Sequence, residues 1–139
     1  MYKGQCLCGK VSINVKGPID SIIHCHCSKC RKSSGTAYAT NGFIQTADLE
    51  ITSGEEQIAH FETSPGKRRH FCTVCASPVY SSNDLAPEQL RLRLGILDTD
   101  IVERPSSHIF VSSRANWDRF DESLSMYDGH EPGRNKAKV

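Results

Sequence analysis

Seven cysteines in 139 residues carry most of the chemistry open to this chain, and they come in close groups. Cys6 and Cys8 flank one residue, Cys72 and Cys75 flank two, and Cys25, Cys27 and Cys30 form a compact CxCxxC inside HCHCSKCRKSSG. Close grouping suits a single ion, because one turn can aim two sulfurs at one point. A reducing compartment fits that pattern better than an oxidising one, so the expected location is cytoplasmic.

The two distant pairs together supply four soft ligands. Cys6, Cys8, Cys72 and Cys75 are therefore expected to hold one closed, tetrahedral structural zinc, with the CxxC of HFCTVCAS as its knuckle. A thiol redox pair at Cys72 and Cys75 is the competing reading. Cys25, Cys27 and Cys30 supply three thiolates, which leaves a fourth position for water or substrate, and they give a second zinc per chain. Three thiolates make the ion a poor Lewis acid. That favours activation of an incoming thiol over generation of hydroxide, and a soft substrate sulfur is a natural fourth ligand. His24 or His26 filling that position is an alternative, although a strand would turn both away from Cys25 and Cys27. An iron–sulfur cluster with one open iron is another, with spacing unlike a ferredoxin run.

The elements that must position these groups read as short and extended. Lys10 to Lys16 is a strand candidate, with Val11, Ile13 and Val15 on one face and Ser12 and Asn14 on the other. Further strands are expected at 21–27, within 36–44, and at 49–52, 57–62, 67–71, 78–81 and 107–111. Leu90, Leu92 and Leu94 alternate with Arg91 and Arg93, which reads as a strand with the arginines facing solvent. Helix is limited to single turns at 28–32 and 87–89. Many short strands between glycine and proline turns predict a mainly β, antiparallel fold. One domain is expected over 1–127, followed by a flexible tail at 128–139 that is charged and poor in apolar residues.

Composition is ordinary for a globular domain, with 37% hydrophobic and 24% charged residues. A formal charge of +1 leaves no nucleic-acid footprint. Two zincs bound by seven thiolates would bring the chain to about −2. The opening MYKGQCLCGKVSI has no apolar core of signal-peptide length, so neither secretion nor a membrane partner is expected.

GQCLCGKVSI, HCHCSKCRKSSG, HFCTVCAS and PSSHIFVSSRANW, in that order over residues 2–117, resemble the glutathione-dependent formaldehyde-activating family, which is also described with centromere-protein-V-like domains. The resemblance implies a β-tent fold of curved antiparallel sheets organised around zinc. It also implies a zinc-dependent carbon–sulfur lyase or synthase for small thiol adducts, joining glutathione and formaldehyde as S-(hydroxymethyl)glutathione. By that resemblance Cys6, Cys8, Cys72 and Cys75 take the structural ion, while Cys25, Cys27 and Cys30 take the functional one.

His26 is then a candidate proton carrier, with Arg69, His70 and Trp117 as candidates for holding the thiol substrate. Surface or core packing is the plain alternative for each. The family commonly has glycine after the second knuckle cysteine, where this chain has Ala76, and alanine enters the left-handed region only with strain. The competing class is a zinc-containing interaction module without catalysis, with a thiol, protein or nucleic-acid partner. Against nucleic acid stands the lack of a basic excess with interleaved aromatics.

Overall fold

The computed structural model describes residues 1–119 and 122–134. Most of the expected strands form, and one that was not expected precedes them: β1 (Tyr2–Gln5), then β2 (Ser12–Val15), β3 (Ser21–Cys25), β4 (Ala39–Gln45), β5 (Leu49–Ser53) and β6 (Ile58–Ser64). After them come β7 (Lys67–Cys72), β8 (Pro78–Asn83), β9 (Gln89–Arg93), β10 (Ser107–Ile109) and β11 (Ser125–Met126). The one α-helix among the described residues, α1 (Ser28–Ser34), follows β3 and ends at Gly35, whose φ of 71° provides a left-handed cap. The fold is mainly β with curved sheets, of the β-tent type that the motifs imply.

Three strands form a small sheet in the order β1-β2-β5, and eight form a large one in the order β11-β10-β3-β4-β9-β8-β7-β6. The large sheet is mixed, because β10 runs parallel to both β3 and β11. β1 has no apolar alternation of its own and exists through its four-residue pairing with β2. The helical turn expected at 87–89 is not formed: Gln89 already belongs to β9 and pairs with Gln45 of β4.

Side-chain alternation along β3 and β4 separates two cores on opposite faces of the large sheet. On one face, Ile22, Ile44, Val79 and Leu92 pack with Ile13 and Val15 of the small sheet and with Val11 just before it, and Cys6 and Cys72 lie among them. On the other, Ile23, Ala39, Phe43 and Ile109 surround Cys25 and Cys30. The two cysteine groups thus fall in separate cores divided by one sheet. No helix of the described residues is long and apolar enough to cross a membrane. Of the segment 128–139, residues 128–134 are described and make contacts taken up below, while 135–139 lie outside the described residues.

Ala76 does take the conformation that glycine would favour, with φ at 63°, and its N–H donates to the Cys72 carbonyl at 2.8 Å. The turn geometry of the knuckle therefore overrides the residue's own preference. A left-handed alanine costs about 1–2 kcal/mol, against roughly 0.5–1 kcal/mol for the extra unfolded-state freedom of glycine. Ala76→Gly is expected to raise stability by about 0.5–1 kcal/mol, measured by denaturant unfolding. A destabilised variant would show that the alanine methyl makes packing contacts that outweigh the strain.

Candidate metal centres and the adjoining pocket

The first centre joins the two ends of the fold. The loop after β1 supplies Cys6 and Cys8, the end of β7 supplies Cys72, and the following turn supplies Cys75. All four sulfurs lie within 4.8 Å of one another. Cys6 Sγ is 3.5 Å from Cys8 Sγ, which is 3.9 Å from Cys72 Sγ. A tetrahedron with Zn–S bonds of about 2.3 Å separates its sulfurs by about 3.8 Å, so the spacing suits an ion of that size. Main-chain donors support the sulfurs, as in the Val11 N–H to Cys6 Sγ contact at 3.3 Å. The Ser77 side chain pulls Cys75 down to about 5, opposed by burial and helped by backbone N–H groups of Ser77 and Cys8. That thiol is poised as the anion a metal requires.

The second centre is built where β3 runs into α1. Cys25 closes the strand, Cys27 caps the helix with its sulfur 3.3 Å from the Cys30 N–H, and Cys30 lies in the first turn. Their three sulfurs also lie within 4.8 Å of one another. Hydrogen bonds from the Cys25 thiol, then from Cys30, hold Cys27 far below the ordinary thiol range, while the same bonds and burial push Cys25 up. Arg69 of β7 places its two terminal nitrogens 3.9 and 3.7 Å from Cys30 Sγ, and one of them donates to Ser33 Oγ at 3.0 Å.

These sulfurs open onto a cavity of about 320 Å³, near the lower end of the range of about 300–1,000 Å³ usual for small-molecule sites. Strand register builds its floor. Across β4, Ala39 pairs with Cys25 of β3, Asn41 with Arg93 of β9, and Phe43 with Arg91. Residues paired in this way share a face, so Arg91 and Arg93 lie on the same face of the sheet as Cys25, with Arg93 two and Arg91 four residues farther along β4. The solvent-facing reading of these arginines is thus corrected: both line the cavity, and Arg93 is only 8% exposed. Arg93 Nη1 donates to Asn41 Oδ1 at 2.7 Å and Nη2 to Ser81 Oγ at 2.6 Å. Burial, then the Arg69 charge, pushes Arg93 down to about 10, while the neighbouring Cys30 and Cys25 act in its favour. Lys29, Lys67, Arg68, Arg69 and Arg134 also line the cavity, and among the described residues no aspartate or glutamate does. Among the described residues, no carboxylate comes within ion-pair distance of Arg69, Arg91 or Arg93.

Of the other expected site residues, Arg69 alone reaches this pocket. His70 turns to Ser82 Oγ at 2.9 Å and stacks on Tyr80. Burial, then the charges of His60 and Arg68, pushes it down to about 4, so it is neutral at pH 7 and a poor partner for a carboxylate. His26 is fully buried, with Nε2 2.9 Å from His108 Nδ1, and its ring packs with Tyr38 and His108 away from the cavity. Trp117 is 68% exposed and does not line the cavity. The cavity residues that local pattern misses are Asn41, Arg91, Arg93 and Arg134. Only strand order and register could have found the first three.

The family model for glutathione-dependent formaldehyde-activating enzymes matches residues 1–113. The chain belongs to this family. A Halomonas elongata protein provisionally assigned to the same enzyme class is 31% identical over 126 residues, which cover 84% of this chain and 79% of that one. An Aspergillus flavus protein with the same assignment is 25% identical over 77 residues, covering 54% of this chain and 40% of the fungal one. A crystal structure of a Rhodobacter sphaeroides protein superposes with a TM-score of 0.61 at 24% identity, covering 72% of this chain and 91% of that one. At that identity the likeness speaks for the fold.

Proposed function

We propose that this family member is a zinc-dependent carbon–sulfur lyase or synthase acting on small anionic thiols, with glutathione and formaldehyde as its reactants. The observation that carries this reading is a three-thiol group opening onto a cavity lined by arginine and lysine and, among the described residues, by no acid. In the synthetic direction the thiol sulfur bonds to the aldehyde carbon, the carbonyl π bond breaks, and the thiol proton ends on the oxygen. The reverse breaks the same C–S bond. Cys25, Cys27 and Cys30 would hold the functional zinc and Cys6, Cys8, Cys72 and Cys75 the structural one. When bound, the functional zinc would lower the pKa of the substrate thiol and fix the direction of its sulfur.

The chain's own groups supply the rest. Arg69, Arg91 and Arg93 draw an anionic thiol into the cavity and favour its ionised form there. Asn41 and Ser81 fix the Arg93 guanidinium, so its orientation is set before substrate arrives. A reducing, cytoplasmic setting suits so many free thiols.

The test is metal quantitation with zinc-edge X-ray absorption, with and without glutathione. About two zincs per chain, one of which gains a sulfur neighbour when glutathione is added, is the expected result. One zinc, or two that ignore glutathione, would overturn the thiol-activation mechanism. Formation of S-(hydroxymethyl)glutathione no faster than the uncatalysed background, despite thiol binding, would instead favour a binding module.

A further inference from the structure

The last described segment lies beyond the family-matched residues 1–113, yet it returns to line the cavity. Three main-chain bonds fasten it: Tyr127 N–H to the His108 carbonyl at 3.0 Å, Val111 N–H to the Tyr127 carbonyl at 3.0 Å, and Phe110 N–H to the Gly129 carbonyl at 3.2 Å. His130 then meets the Phe110 ring edge-on, with centroids 5.0 Å apart. Phe110 itself is held at a φ of 55°, a left-handed conformation rare for an aromatic residue.

Arg134 ends this segment with its guanidinium carbon 4.7 Å from the Phe43 ring centroid. Its side chain is 12% exposed, and Nε and Nη2 donate to the two Glu131 oxygens at 2.7 and 3.0 Å. Glu131 fixes the plane of the fork and offsets its charge. Nη1 has no hydrogen-bond partner among the described residues, which leaves it a free donor on a residue that lines the cavity.

Register locates that donor relative to the sulfurs. Cys25 pairs with Ala39 and Arg91 with Phe43, four residues farther along β4. At about 3.4 Å per residue, the backbone row of Phe43 and Arg91 lies about 14 Å along the sheet from the row of Ala39 and Cys25, and Arg134 sits over Phe43. A two-carbon thiol cannot span that distance. An extended tripeptide, at about 10–11 Å for its backbone and with side chains beyond, can nearly do so. Resting on the thiol-site reading above, we infer that Arg134 is a specificity-determining residue: with Arg91 it receives the far carboxylate of an extended, peptide-like thiol whose sulfur lies at Cys25, Cys27 and Cys30.

The experiment is calorimetric titration of the zinc-loaded full chain with glutathione and, separately, with 2-mercaptoethanol, for the parent, Arg134→Met and Arg134→Lys. Methionine keeps apolar contact with Phe43 and removes the donors, whereas lysine keeps the charge and loses the fork. The expected result is glutathione affinity weaker by about tenfold or more in Arg134→Met, with 2-mercaptoethanol affinity changed less than about twofold. Arg134→Lys should fall between the parent and the methionine variant for glutathione, and it stands in if Arg134→Met does not fold. Unchanged glutathione affinity, or equal losses for both thiols, would overturn this assignment alone. A parent that binds neither thiol would overturn the proposed function, and this inference with it.

Discussion

Cys72→Ser is expected to lose at least about 5 kcal/mol of stability, seen as a melting temperature lower by about 15 °C for a chain of this length. Cys72 is fully buried at the end of β7, and its sulfur group ties that strand to the loop after β1. A structural zinc in a small domain contributes roughly 10–16 kcal/mol, as much as the whole net stability of about 5–15 kcal/mol typical of such domains. An ion held by these four sulfurs would also close the long chain segment from Cys6 to Cys72 and so restrict the unfolded state. Cys30→Ser makes the contrast. Cys25, Cys27 and Cys30 close only a few residues within one strand and one turn of helix, so their ion adds little to chain closure. Cys30→Ser should melt within about 5 °C of the parent while losing one of two zincs. Equal melting of Cys72→Ser and parent, or a parent indifferent to strong chelators, would remove the structural role from the four-sulfur group.

How much of this was legible beforehand depends on the distance over which each feature is set. The two cysteine groups could be assigned from spacing alone, because the grouping within each pair or triplet is local and only the partnering of 6/8 with 72/75 is long-range. Most strands were legible for the same reason: Val11, Ile13 and Val15 announce a buried face wherever their partner lies. β1 was not, since its strand character comes from β2 rather than from its own side chains. Arg91 and Arg93 mark the clearest limit. Alternation put them correctly on the face opposite Leu90 and Leu92, but polar alternation cannot say whether that face meets water or a cavity. The answer depends on β7, β8 and α1 rising around the face, which no window near residue 91 contains. His26 shows the opposite case: it lies between two candidate ligands in sequence, yet its ring packs with Tyr38 and His108.

Arg93→Met is expected to weaken glutathione binding by about 10- to 100-fold while changing global stability by less than about 2 kcal/mol. The two halves of that expectation have one cause. A guanidinium 8% exposed, with neutral partners in Asn41 and Ser81 and no carboxylate near it, is a buried charge whose desolvation is only partly offset within the described residues. Replacing it with methionine relieves that cost. It also leaves Asn41 Oδ1 and Ser81 Oγ without their shortest contacts, at roughly 1–3 kcal/mol for each group that water cannot reach. The opposing terms are similar in size, so the fold should hardly notice. The bound thiol should, because the charge that compensated Arg93 was to come from the substrate and from Cys25 and Cys30. Unlike Arg134→Met, this variant should weaken a short anionic thiol such as mercaptoacetate as well, since Arg93 pairs across the sheet only two residues along β4 from the Cys25 row. Calorimetric affinities for both thiols, beside melting curves for each variant, separate the cases. A variant destabilised by more than about 4 kcal/mol would make Arg93 a structural residue, and unchanged affinity for both thiols would take it out of the binding site.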